Sequence, residues 1–135
     1  MKFVILTYTD NLSFAEKTKE VLKDQWNIDA DIVIGYKVGE NNLKKYEALT
    51  AGFRDKILNV YDEDIYYLED DVRFTKNPLD IDLTKDIVWS VYRKGSITEK
   101  NNIWGSQAIY FSQKALRTMK EHFKTKRLQW IDRYF

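Results

Sequence analysis

The sequence contains no cysteine, which excludes a disulfide framework and a thiolate metal site. A single histidine, His122, excludes a multi-histidine zinc centre. No apolar run approaches the roughly 20 residues of a membrane span. The opening Met1-Lys2-Phe3-Val4-Ile5-Leu6-Thr7 turns polar too soon for a signal peptide, so a cytoplasmic location is expected. Excess charge of one sign is also missing, since 22 Lys+Arg against 21 Asp+Glu leave a net +1. That balance carries no global nucleic-acid or membrane signature. There is no G-x-x-x-x-G-K-(S/T) loop, which argues against a P-loop enzyme. Proline occurs once, at Pro78, and no repeat, low-complexity segment or linker divides the chain. The 135 residues suit one domain with one core, over 1–135.

What the sequence does have is concentrated in Ile65-Tyr66-Tyr67-Leu68-Glu69-Asp70-Asp71-Val72. Its apolar start reads as a buried strand of an α/β sheet. The carboxylates then fall at the C-terminal end of that strand, where open α/β sheets bind ligands. Three adjacent carboxylates repel one another, and a divalent cation relieves the repulsion. Mg²⁺ commonly takes one or two protein carboxylates and completes its shell with water and substrate phosphates. The alternative is a solvated loop end. A second triplet, Asp62-Glu63-Asp64, precedes the same strand at its N-terminal end and reads as a solvated turn.

The first half alternates strand and helix. Phe3 to Tyr8 is a strand, followed by the polar loop Thr7 to Asn11. Ser13 and Glu16 have capping-box spacing, and Phe14, Val21, Leu22 and Trp26 recur with helical period. Asn27 to Asp29 form the exit turn. Asp31 to Tyr36 is the second strand and Lys37 to Asn42 a loop. A second helix is expected from Leu43 to Asn59, with Leu43, Tyr46, Leu49, Phe53 and Ile57 on one stripe. Gly52 inside it costs about 1 kcal/mol relative to alanine, a sign of close approach to another element or to a ligand. The resulting β-α-β-α-β order predicts a parallel sheet.

The second half is less regular. Thr75 to Lys85 reads as a loop and Ile87 to Tyr92 as a strand. Arg93 to Trp104 reads as an exposed, mobile loop and Gln107 to Phe111 as a further strand. Ser112 can cap a helix that buries Leu116, Met119 and Phe123. The basic run Lys124 to Arg127 suits that helix's C-terminal dipole. Leu128 to Phe135 is a short amphipathic tail. The 15% aromatic content supplies core volume and does not by itself imply a stacking platform.

The element order, with carboxylates closing the first β-α-β-α-β unit, resembles the GT-A glycosyltransferases. A more specific resemblance is to glycosyltransferase family 25, the lipooligosaccharide and procollagen galactosyltransferases. That family carries an apolar strand followed by L-E-D-D, matched here by Leu68-Glu69-Asp70-Asp71. Its later G-(S/T)-x-A-Y segment, then a serine and an alanine opening a helix, looks like Gly105-Ser106-Gln107-Ala108-Ile109-Tyr110-Phe111-Ser112-Gln113-Lys114-Ala115. Its P-(I/V)-D segment looks like Trp130-Ile131-Asp132. The resemblance covers roughly residues 60 to 135. It departs from the family in lacking an arginine at Thr9-Asp10-Asn11. It also has no histidine in a C-terminal metal-ligating segment, since His122 falls within a helix pattern.

The resemblance implies a single-domain GT-A fold, a Rossmann-like, mixed but mainly parallel sheet flanked by helices. It implies a transferase moving sugar from a nucleotide-sugar donor, a UDP-sugar by family habit, to an acceptor such as a glycan or protein. It also implies Mn²⁺ or Mg²⁺ as cofactor. Asp71 is then expected to ligate the metal, with Glu69 and Asp70 on ribose hydroxyls or metal waters. Thr7, Tyr8 and Thr9 would line the nucleotide pocket, or form an ordinary loop. Lys45 and Arg54 would meet phosphate, or sit on a solvated helix face. Gly105, Ser106 and Gln107 would approach the sugar. Asp132 would serve as general base on the acceptor side, or pair with Arg133. A non-catalytic donor-binding domain and another α/β phosphoryl- or nucleotidyltransferase are the competing readings.

Overall fold

The computed structural model describes residues 1–89 and 108–124. The expected loop Arg93 to Trp104, the segment Gly105-Ser106-Gln107 and the tail carrying Asp132 lie outside the described residues. Strands β1 (Lys2–Thr7), β2 (Ala30–Ile34), β3 (Ile65–Glu69), β4 (Ile87–Trp89) and β5 (Ala108–Phe111) form one mixed sheet. Their order is β2-β1-β3-β5-β4. β1 pairs in parallel with β2 and β3, whereas β5 runs antiparallel to β3 and β4. Helix α1 (Leu12–Trp26) links β1 to β2, and α2 (Lys45–Phe53) leads towards β3. Helix α3 (Gln113–Phe123) follows β5.

Both sheet faces are covered, which is why β1 and β3 read as unbroken apolar runs. On one face Val4, Leu6, Ile65, Tyr67, Ile109 and Phe111 pack with Phe53 and Ile57 and with Leu116, Met119 and Phe123 of α3. On the other, Phe3, Ile5, Tyr66, Leu68 and Tyr110 pack with Ala15 and Leu22 of α1 and with Val72 and Phe74. Phe3 stacks on Tyr66 with ring centroids 4.9 Å apart. The expected α/β sheet flanked by helices is therefore present. Among the described residues, no helix is long and apolar enough to cross a membrane.

Helix α1 departs from the capping-box expectation. A 3-10 turn over Thr9–Asn11 runs directly into it, with Asn11 N–H donating to Tyr8 O at 2.9 Å. Ser13 thus falls inside the helix. The buried stripe is Ala15, Thr18 and Leu22, and Phe14 is exposed. Asn27, in the left-handed region at φ 55°, ends the helix; its N–H donates to Lys23 O at 3.0 Å, the bond of an αL closure, and Ile28 N–H reaches back to Leu22 O at 3.1 Å.

Helix α2 begins two residues later than expected, with Glu47 Oε1 accepting from Lys44 N–H at 3.1 Å. It then widens into a π-helical segment, Arg54–Leu58. The close approach signalled by Gly52 is to Gly35, just past β2. A Cβ on Gly52 would lie 3.3 Å from Gly35 Cα, and one on Gly35 would lie 3.4 Å from Gly52 Cα. Ser112 caps α3 as expected, its Oγ accepting from Ala115 N–H at 3.1 Å.

The triplet Asp62-Glu63-Asp64 is exposed, but it does more than solvate a turn. Asp64 Oδ1 accepts from Gln113 N–H at 2.8 Å, and Asp62 accepts a two-pronged bond from Arg117 at 2.8 and 2.9 Å. The Arg117 guanidinium holds the Asp62 carboxyl below its usual range. These residues fasten α3 to the entry of β3.

Candidate functional site

The strand order reverses at β1: the first crossover adds β2 on one side and the second adds β3 on the other. Ligands of open α/β sheets bind outside the carboxyl ends of the strands at such a reversal. A cavity of about 580 Å³ lies there, within the usual size of a small-molecule site. Leu6, Thr7 and Tyr8 from the end of β1 line it, with Asp10 and Asn11 from the following turn. Gly35, Tyr36, Lys37 and Val38 line it from beyond β2. Helix α2 contributes Lys45, Ala48, Leu49 and Gly52, and the end of β3 contributes Glu69 and Asp70. The two glycines let α2 close on the sheet, so the cavity has an apolar floor with charged groups around it.

The acidic turn after β3 is held from two sides. Thr7, buried, donates through Oγ1 to Asp70 Oδ2 at 2.9 Å. Thr18, on the buried stripe of α1, donates to the main-chain oxygen of Asp70 at 2.6 Å. Arg73 Nη1 donates to Thr18 Oγ1 at 2.6 Å and to Val72 O at 2.8 Å. Side chain and backbone of Asp70 are thereby fixed by β1 and α1, elements far away in sequence. Thr18 and Arg73 escape a search for charged motifs, and a threonine at i+3 from Ala15 in a helical stripe is their one sequence signal.

Asp71, the residue expected to ligate metal, is exposed at the turn and does not line the cavity. Thr9 is exposed within the 3-10 turn and also lies off the lining, unlike Thr7 and Tyr8. Lys45 reaches the cavity wall, whereas Arg54 donates to Asp55 at 2.7 and 3.1 Å. Asp10, Asn11, Tyr36 and Lys37 were not anticipated from the sequence. Lys37 Nζ stands 3.5 Å from Asp10 Oδ1, joining the loops after β1 and β2 through an exposed pair of small energetic weight.

The charges of Glu69 and Asp70 extend to the fully buried Tyr67. Burial first, and then these two carboxylates, hold its phenol far above the ordinary tyrosine range. Its hydroxyl has no hydrogen-bond partner among the described residues.

Mg²⁺ or Mn²⁺ suits the donor set: two adjacent carboxylates on the cavity wall, with no thiolate or imidazole beside them. Among the described residues, no three His, Asp or Glu side chains gather as a preformed metal cluster. An ion that takes one or two carboxylates and fills its shell with phosphate and water does not need one. In comparisons with known proteins, no family model, curated protein or solved structure matches the chain.

Proposed function

We propose that this chain is a metal-dependent glycosyltransferase of GT-A type that takes a nucleotide sugar, specifically a UDP-sugar, as donor. The observation that supports it most is the cavity at the carboxyl ends of β1, β2 and β3 with Glu69 and Asp70 on its wall. Thr7 and Tyr8 would contact the nucleoside, and Lys45 would face phosphate. Glu69 and Asp70 would hold Mn²⁺ or Mg²⁺, with Asp71 supporting from the adjacent turn. The ion supplies positive charge to the departing diphosphate. Gly105, Ser106 and Gln107 would border the sugar. Asp132 would take the proton of the acceptor hydroxyl as its oxygen bonds to the anomeric carbon and the bond from that carbon to the diphosphate breaks. The acceptor is a glycan, a protein or another hydroxyl compound, and the reaction is placed in the cytoplasm.

A thermal-shift series with UDP, UDP-sugars and ATP, with and without Mn²⁺, tests this reading. Metal-dependent stabilisation by UDP-sugars is expected, together with slow donor hydrolysis. Preference for ATP would contradict it. Tight UDP-sugar binding with neither hydrolysis nor transfer would make the chain a donor-binding domain.

A further inference from the structure

The wall of the cavity contributed by Tyr36 is built from outside the cavity. Tyr36 follows Gly35, and Asp55 follows Gly52 by three residues, on the same side of the helix. The glycine contact therefore brings Tyr36 and Asp55 together, and Tyr36 Oη donates to Asp55 Oδ2 at 2.8 Å. Asp55 is the second residue of the π-helical segment, and single π turns concentrate at functional positions. Its carboxylate is itself gripped by Arg54, with Nε to Oδ1 at 2.7 Å and Nη2 to Oδ2 at 3.1 Å. Lys56 Nζ stands over the Tyr36 ring, 5.5 Å from its centroid, within cation–π range. Tyr36 lines the cavity, whereas Asp55 and Lys56 do not. A half-exposed tyrosine at the end of an edge strand would ordinarily change rotamer freely. This one is tied at its hydroxyl and covered on one face.

We propose that Asp55 is a positioning residue that acts through Tyr36, fixing its ring as the surface against which the ligand of this cavity lays a planar group. The inference rests on the reading of the cavity as a ligand site. Stacking of a base on an aromatic ring is worth roughly 5- to 150-fold in affinity. Freeing a side chain that must then be ordered on binding costs roughly 2- to 10-fold.

The test is a double-mutant cycle read by calorimetry and by NMR of ¹³C-labelled tyrosine rings, with the Tyr36 signal assigned from Tyr36→Phe. UDP, ADP and FMN are the planar probes and pyrophosphate the non-planar control. We expect the bound planar probe to shift the Tyr36 signal and Tyr36→Ala to weaken it, pyrophosphate being unaffected. Asp55→Ala should weaken planar binding roughly 2- to 10-fold in the wild-type background. In the Tyr36→Phe background it should change affinity by less than about twofold. Asp55→Asn, which keeps an acceptor for the phenol, should bind better than Asp55→Ala. If ADP or FMN shows this pattern and UDP does not bind, the inference stands and the UDP-sugar reading falls. If UDP binds but Asp55→Ala lowers only thermal stability, or acts equally in both backgrounds, the bond is merely a structural staple and the inference is overturned. It is likewise overturned if none of the three planar probes moves the Tyr36 signal.

Discussion

Thr18→Val removes one hydroxyl from the middle of α1 and keeps the branched shape and, to a good approximation, the helix propensity. That hydroxyl donates to Asp70 O at 2.6 Å and accepts from Arg73 at 2.6 Å, in a residue only 1% exposed. The valine leaves the Asp70 carbonyl without this donor, at a cost of about 1–3 kcal/mol. Arg73 is exposed and recovers water, so the lower half of that range is expected. For a domain of this length each kcal/mol lowers the melting temperature by roughly 3–4 °C. A drop of about 3–8 °C should follow, with an unchanged urea m-value. Loosening the acidic turn should also weaken metal-dependent UDP binding, whereas Thr18→Ser, which keeps the hydroxyl, should spare it. A Thr18→Val protein as stable as wild type and with equal UDP affinity would refute the idea that α1 holds the turn.

Three further outcomes follow from the same packing. Gly52→Ala gains helix propensity of up to about 1 kcal/mol but drives its methyl to 3.3 Å from the Gly35 backbone. Overpacking of about 1–3 kcal/mol should win, and urea titration should show net destabilisation. Neutralising Asp62, Glu63 and Asp64 together should lower the melting temperature by releasing α3 while leaving UDP affinity unchanged, because they sit at the opposite end of β3 from the cavity. An equal loss of affinity, measured by calorimetry, would identify this triplet as the functional one. The Tyr61 phenol is pushed up to about 12, by burial first and then by its bond to Asp31. Its folded pKa exceeds the unfolded value near 10, so its contribution is complete below pH 10 and is lost as pH rises through about 12. Ultraviolet titration of wild type against Tyr61→Phe checks this.

Much of this architecture is legible in the sequence where one physical cause dominates. β1 and β3 show as apolar runs because helices cover both of their faces, and α3 shows because Ser112 caps a clean apolar stripe. The carboxylates at the end of β3 are visible for the same reason, as the first polar residues after a buried run. The start of α1 is misread because the Ser13 and Glu16 spacing imitates a cap while a 3-10 turn supplies the real entry. Thr18 hides on a core stripe because its polarity disguises its burial. The remaining cavity wall is assembled by crossovers: Tyr36 and Lys37 line the same cavity as Glu69 and Asp70 only because β2 and β3 flank β1. A lone helical glycine, Gly52, is the one local trace of that meeting.

The measurement that tests the central claim most directly is the calorimetric affinity of UDP with and without Mn²⁺, in wild type and in Asp70→Asn. The account predicts that Mn²⁺ tightens UDP binding to the wild type and that Asp70→Asn abolishes this gain while its melting temperature stays close to wild type. Asp71→Asn, at the exposed neighbour, should lose less of the gain. Metal-independent UDP binding of equal strength in wild type and Asp70→Asn would contradict the claim.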